Sequence, residues 1–183
     1  MPRPRIVFLH GDQTSDWRVA WVPSVKKKLE DAAFETFFEL FPDSIEARAE
    51  YWLPFLEQCI RAGRDDVLLG WSCGAVAAMR YAQAHAVRGL VLVAPYYTDL
   101  GFAEVRHSRF VEPEWDWARI RANAREIHML HSDADPYVSQ AEFASLAQHL
   151  LATVTLVPGA QHFANLAELD AVVKRITLAF GSD

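Results

Sequence analysis

Only two cysteines, Cys59 and Cys73, occur among the 183 residues. That excludes a disulfide framework as the main source of stability, and without a secretory leader the two are expected to be free thiols. No apolar run approaches the roughly 18 residues a membrane-spanning helix needs. The opening Met1-Pro2-Arg3-Pro4-Arg5 passes straight into Ile6-Val7-Phe8-Leu9, which is too short for a signal-peptide core and reads as a strand. A soluble, cytoplasmic protein is the expectation, with no membrane partner. Positive charge is also in deficit: 18 Lys and Arg against 24 Asp and Glu leave a net charge of −6. This argues against nucleic acid, whose affinity comes largely from neutralising phosphates. The one basic run, Lys26-Lys27-Lys28, is too short to reverse that and reads as a solvated helix face. Low-complexity stretches and solenoid-spaced repeats are absent as well, so residues 1–183 are read as one domain.

Hydrophobic residues make up 51% of the chain, and a domain of this size buries about 70% of the surface its unfolded form exposes. Short β-rich runs recur through it: Ile6 to Leu9, Glu35 to Phe41, Val67 to Leu69, Gly89 to Val93, Ile127 to His131 and Val154 to Val157. Helical stretches separate them, near Ala20 to Ala33, Ile45 to Arg61, Gly74 to Ala86, Trp115 to Ala124, Gln140 to Leu151 and Asn165 to Phe180. Strict alternation of this kind predicts an α/β fold, a six-stranded parallel sheet with crossover helices on both faces. The long segment from Pro95 to Glu114 reads as a loop covering the site rather than as a second domain.

In open parallel sheets the chemistry sits beyond the carboxyl ends of the strands. There, Gly70-Trp71-Ser72-Cys73-Gly74 follows Val67-Leu68-Leu69 directly and leads into Ala75-Val76-Ala77-Ala78-Met79-Arg80-Tyr81-Ala82. Strand, sharp turn and helix in that order are the context of a nucleophile elbow. The glycines let strand and helix approach closely around a strained serine. Ser72 is the candidate nucleophile.

A serine hydroxyl needs an imidazole to take its proton and a carboxylate to orient that imidazole. Asp135 and His162 follow the fifth and sixth strands and complete the order Ser, Asp, His, which is that of the α/β-hydrolases. Asp133 could face the imidazole instead; Asp135 is favoured because it precedes Pro136, which restricts the backbone before it. Among seven histidines, His162 alone combines the end of the last strand, a glycine-containing turn and a position after the acid. His10 is the alternative base, although its place at the end of the first strand suits shaping the neighbouring loop. Oxyanion stabilisation is expected from the Cys73 N–H and from a second N–H in the first loop, that of Asp12 or Gln13, with Gly11 easing the turn. Trp71, Tyr96, Tyr97, Phe102, Trp115, Trp117, His10 and Phe163 are candidates for the substrate pocket. Trp115 with Trp117 could equally pin a short helix. This chemistry calls for neither metal nor cofactor.

The elbow and its helix closely resemble the small serine hydrolases of the retinoblastoma-binding protein 9 family. The likeness extends over Pro42-Asp43-Ser44-Ile45-Glu46-Ala47-Arg48, Tyr51-Trp52-Leu53-Pro54-Phe55, Leu90-Val91-Leu92-Val93, Thr98-Asp99-Leu100-Gly101, Glu114-Trp115-Asp116-Trp117-Ala118-Arg119-Ile120 and Ala122-Asn123. The resemblance implies a compact α/β-hydrolase fold with no large cap domain, and a triad at Ser72, Asp135 and His162, with the acid directly before a proline. Two departures stand out. Trp71 occupies the position where relatives commonly carry histidine, and Leu56-Glu57-Gln58-Cys59-Ile60-Arg61 lacks the Leu-x-Cys-x-Glu spacing that would bind a retinoblastoma-type partner. The expected function is hydrolysis of small acyl esters or amides through an acyl-serine. Two other readings use the same residues: a protein-binding module on a hydrolase fold, and a thioesterase or acyltransferase.

Overall fold

Six runs of aliphatic and β-branched residues form one fully parallel sheet in the computed structural model, which describes residues 3–181. The strands are β1 (Arg5–Leu9), β2 (Glu35–Phe38), β3 (Asp66–Trp71), β4 (Val87–Val93), β5 (Ala124–His131) and β6 (Thr153–Leu156), in the spatial order β2-β1-β3-β4-β5-β6. Every residue of β3 is buried, because a central parallel strand is covered on both faces and so reads as a continuous apolar run.

Alternate strand residues feed two cores. Ile6, Phe8, Val67, Leu69 and Val91 pack against α1 (Val22–Asp31) and α7 (Asp170–Phe180). Val7, Leu9, Leu68, Leu90 and Leu92 pack on the other face, against α2 (Ala49–Pro54), α3 (Cys73–Ala84), α5 (Trp117–Asn123) and α6 (Gln140–Leu150). The α/β architecture with helices on both faces is therefore present. Among the described residues, no helix is long and apolar enough to cross a membrane.

Several boundaries differ from the sequence expectation. The second strand stops at Phe38, and the helix foreseen over 45–61 is two pieces, α2 and a π-helical stretch over Phe55–Ile60. Pro54 closes α2 and has no N–H to give the carbonyl four residues earlier, so the ladder resumes in a wider turn. The 95–114 segment contains a short helix, α4 (Ala103–Ser108). The last helix begins only at Asp170, after a run of turns from Phe163 onward.

Register decides where the functional loops emerge. Leu9 pairs with Gly70, Trp71 with Val93, Val93 with Leu130 and His131 with Leu156. The carboxyl ends of β1, β3, β5 and β6 thus share one edge. Because β2 lies to one side of β1 and β3 to the other, the chain reverses direction across the sheet at β1, and the crevice there lies between the loops carrying His10 and Ser72. At the opposite edge the Arg5 guanidinium grips both carboxylate oxygens of Asp66 at 2.9 Å, fixing the β1–β3 register away from the site.

Candidate active site

Ser72 sits at φ 56° and ψ −121° between β3 and α3, a conformation that costs a non-glycine residue about 1–3 kcal/mol and persists only where its surroundings enforce it. The enforcement is visible. Its N–H donates to the Val93 carbonyl at 2.9 Å and its own carbonyl accepts from the Ala75 N–H at 2.9 Å. A Cβ on Gly70 would lie 2.5 Å from the Ala75 Cα, and one on Gly74 would overlap the carbonyl oxygens of Leu9 and His10. Neither glycine has a positive φ; space, not backbone freedom, requires them.

His162 and Asp135 meet this serine. The His162 Nε2 lies 2.9 Å from the Ser72 Oγ, and its Nδ1 lies 2.8 Å from the Asp135 Oδ2. The Asp135 side chain is fully buried, and its second oxygen accepts the N–H groups of Tyr137 at 2.9 Å and Val138 at 3.1 Å. Burial works to raise the Asp135 carboxyl, but the His162 ring and the two backbone donors outweigh it and hold the group below the usual carboxylate range. Asp133 turns elsewhere, accepting the Gly159 N–H at 2.7 Å. It thereby ties the loop that carries Asp135 to the loop that carries His162. Each of the three residues is placed by the end of a different strand, and the histidine loop is bent by positive φ at Gly159, Gln161 and Phe163.

The loop after β1 differs from expectation in detail. Gly11 does not adopt a positive φ; Gln13 does, at 54°. A Cβ at Gly11 would stand 3.8 Å from the Ser72 Cβ, so glycine here keeps the space over the serine open. The Gln13 N–H is already given to the Ile45 carbonyl at 3.0 Å, which removes it as an oxyanion donor and leaves Asp12. His10 is 2% exposed. The Phe41 N–H donates to its Nε2 at 2.9 Å, so the ring proton resides on Nδ1, 2.6 Å from the Gly11 carbonyl. Because that carbonyl and the Asp12 N–H belong to one planar peptide, the imidazole fixes both. Burial lowers the His10 pKa, which favours this neutral ring. His10 borders the cavity, as expected, with both ring nitrogens engaged within the protein, so that it meets the cavity as a support rather than as a free donor. Burial also raises the Asp12 carboxyl above its ordinary range, partly offset by hydrogen bonds from its own N–H and the Gln13 side chain.

A cavity of about 500 Å³ opens over Ser72. Trp71, Tyr96 and Phe102 line it, as do Phe8, Trp17 and Tyr137, which the sequence reading did not single out. Trp17 follows β1 and Tyr137 lies two residues beyond Asp135, so position after a strand end was the signal for both. Tyr137 stands edge-on to the His162 ring, with centroids 5.0 Å apart. Asp12 and Glu104 contribute carboxylates to the lining, and among the described residues neither has a basic partner within 4.0 Å.

Four other pocket candidates lie elsewhere, among them Tyr97, whose hydroxyl lies 2.9 Å from the Ser145 Oγ on α6 and whose ring stands edge-on to Trp117. Phe163 is fully buried in the core beneath α1 and α7, since its φ of 65° turns it inward as His162 turns outward. Trp115 lies under the Arg80 guanidinium at 3.6 Å, gives its indole N–H to the Tyr97 carbonyl at 3.0 Å, and stacks on Trp117. Trp117 in turn stacks on His149. Arg80 itself donates to the carbonyls of Phe110 and Pro113 at 2.8 and 2.9 Å. These rings staple the 95–114 segment to α3, α5 and α6, the helix-pinning role. Cys73 is buried and its thiol is pushed well up by burial, so it is an inert packing group.

The parallel sheet, the left-handed serine between β3 and α3, and the cavity at the strand ends define an α/β-hydrolase. A family model described as Serine hydrolase matches residues 6–174, and the chain belongs to that family. It is 37% identical over 157 residues to serine hydrolase RBBP9 of Rattus norvegicus, covering 84% of each chain. Among solved structures it is similar to the ydeN gene product of B. subtilis, with a TM-score of 0.88 at 22% identity, covering 98% of this chain and 100% of that one. It is also similar to Est1E from Butyrivibrio proteoclasticus, with a TM-score of 0.73 at 14% identity over 98% and 89% of the two chains. These two likenesses bear on the fold; membership of the family makes the protein a hydrolase.

Proposed function

We propose that the protein cleaves small acyl esters or amides through an acyl-serine intermediate, with Ser72 as nucleophile, His162 as general base and then acid, and Asp135 as the group that orients the imidazole. The observation that carries this reading is the unbroken line Asp135 Oδ2, His162 Nδ1, His162 Nε2, Ser72 Oγ at 2.8 and 2.9 Å. With the ring proton on Nδ1 directed at Asp135, Nε2 is free to take the Ser72 proton as Oγ attacks the substrate carbonyl. The same nitrogen then protonates the leaving group, and in the second half-reaction it activates the water that releases the acid.

Negative charge on the substrate oxygen would meet the Cys73 N–H, which opens α3 and so has no partner within that helix. The Asp12 N–H, its peptide held by His10, is the second donor in this scheme and would turn from its own carboxylate to the substrate oxygen. The cavity volume of about 500 Å³ and its aromatic wall suit a compact acyl group. The carboxylates of Asp12 and Glu104 disfavour anionic acyl groups by like-charge repulsion. A protein-binding role built on Trp115 and Trp117 lacks a free aromatic face, because both rings are engaged in the Arg80 stack.

Intact-protein mass spectrometry after exposure to a small fluorophosphonate tests the scheme. Stoichiometric labelling of the wild type, abolished in Ser72→Ala together with several orders of magnitude of esterase turnover, is the expected result. Unlabelled wild type of native fold, or undiminished turnover in Ser72→Ala, would refute it.

A further inference from the structure

One buried contact links the nucleophile strand to the histidine loop directly. Trp71, the last residue of β3, is 8% exposed and its indole Nε1–H donates to the His162 carbonyl at 3.1 Å. Its ring lies against Trp21, with centroids 5.6 Å apart, and packs in the same core as Phe163. The loop it grips is under backbone strain. Gln161 and Phe163, on either side of His162, both adopt positive φ, at 50° and 65°, and such residues relax unless their surroundings hold them.

We propose that Trp71 is a positioning residue for His162: its indole N–H fixes the main chain under the imidazole, so that Nε2 stands at Ser72 Oγ before substrate arrives. The inference rests on the Ser72 and His162 roles given above. The logic is geometric. Trp71 precedes Ser72 in the chain and hydrogen-bonds the main chain of His162, so a single rigid ring system sets both ends of the 2.9 Å Oγ to Nε2 contact. No other hydrogen bond to the His162 carbonyl exists among the described residues. The hydrogen bond is directional, which apolar packing is not. A smaller ring such as imidazole could not fill the same space beside Trp21.

The test separates the N–H from the ring. Trp71→Phe removes the donor and part of the volume, whereas replacing Trp71 with β-(3-benzothienyl)alanine removes the donor and keeps the shape. Fluorophosphonate acylation under single-turnover conditions, ester KM and kcat, and thermal midpoints are measured for both variants and for the wild type. The expected result for the isostere is an acylation rate and kcat about fivefold lower, the fold-change corresponding to one lost neutral hydrogen bond, with KM unchanged and the midpoint lower by no more than about 4 °C. In one-dimensional proton spectra, the downfield His162 Nδ1–H signal broadens. An isostere that acylates at the wild-type rate overturns the inference. So does a variant whose rate falls only in step with its folded fraction or KM. If the wild type itself is not acylated, the underlying assignment of Ser72 and His162 has failed instead, so the two failures are distinguishable.

Discussion

Gly74→Ala separates the demands of the fold from those of the chemistry. A methyl group at this position would overlap the carbonyl oxygens of Leu9 and His10. Both are main-chain atoms, one at the end of β1 and the other at the start of the loop above it, so neither can rotate away. Strand and helix must therefore part by roughly 1 Å before the contact becomes tolerable. Overpacking of this kind costs about 1–3 kcal/mol, and at this chain length each kcal/mol is worth about 2–4 °C in Tm. The same separation moves the α3 N-terminus and Ser72 away from the first loop, and a misplacement of about 1 Å in an active site can cost about 10²-fold in rate. Gly11→Ala is the matched control. Its Cβ would lie 3.8 Å from the Ser72 Cβ, an ordinary contact, and relief of unfolded-state entropy would contribute about 0.4–1 kcal/mol of stability. The methyl nevertheless occupies space through which the acyl group must pass. Calorimetry and ester turnover on both variants should therefore diverge: Gly74→Ala loses stability and activity together, while Gly11→Ala keeps or gains stability and loses turnover. A Gly74→Ala protein as stable as wild type would refute the reasoning, as would a Gly11→Ala protein that melts early.

Two further outcomes follow from the pocket and its surroundings. Burial is the largest influence on Asp12 and raises its folded pKa above the ordinary 3.8, so its stabilising contribution is complete below that value and is lost as pH rises through the folded pKa. Asp12→Asn should accordingly raise Tm by a few degrees at about pH 7, with the gain shrinking toward about pH 4; an equal gain at both would show that charge is not the cause. Trp115→Ala should cost about 2–3 kcal/mol of stability through loss of the Arg80 stack, yet leave ester KM within about twofold of wild type, and a large KM change with unaltered Tm would return Trp115 to the pocket wall.

The strand pattern and the elbow were legible because both are local. Val67-Leu68-Leu69 declares a buried strand by composition alone, and Gly70 and Gly74 sit where a side chain would collide with neighbouring main chain. The chain order of Ser72, Asp135 and His162 could be read from loops that follow strands, since a parallel sheet delivers those loops to one edge. What could not be read depends on partners distant in sequence. Nothing near Trp115 announces that Arg80 will lie over its ring at 3.6 Å, and nothing near Phe163 says that a positive φ will turn it into the core. Likewise the Gln13 N–H was a plausible donor until Ile45, brought close by the fold, took it. Pro54 did carry a signal for the break in the helix over 45–61, in its missing N–H.

The bond from the Gly159 N–H to Asp133 joins the acid loop to the base loop without passing through the sheet. Asp135 and His162 consequently behave as one mechanical body, and Ser72, set between β3 and α3, as another, with the single indole bond from Trp71 to the His162 carbonyl as the tie across the seam. Loosening of the molecule by heat or denaturant should open the seam between these bodies first, so that the imidazole remains aligned with its carboxylate while it drifts from the serine. An enzyme built this way idles before it unravels: turnover would fade at temperatures where the histidine's partnership with Asp135, and the fold as a whole, are still intact.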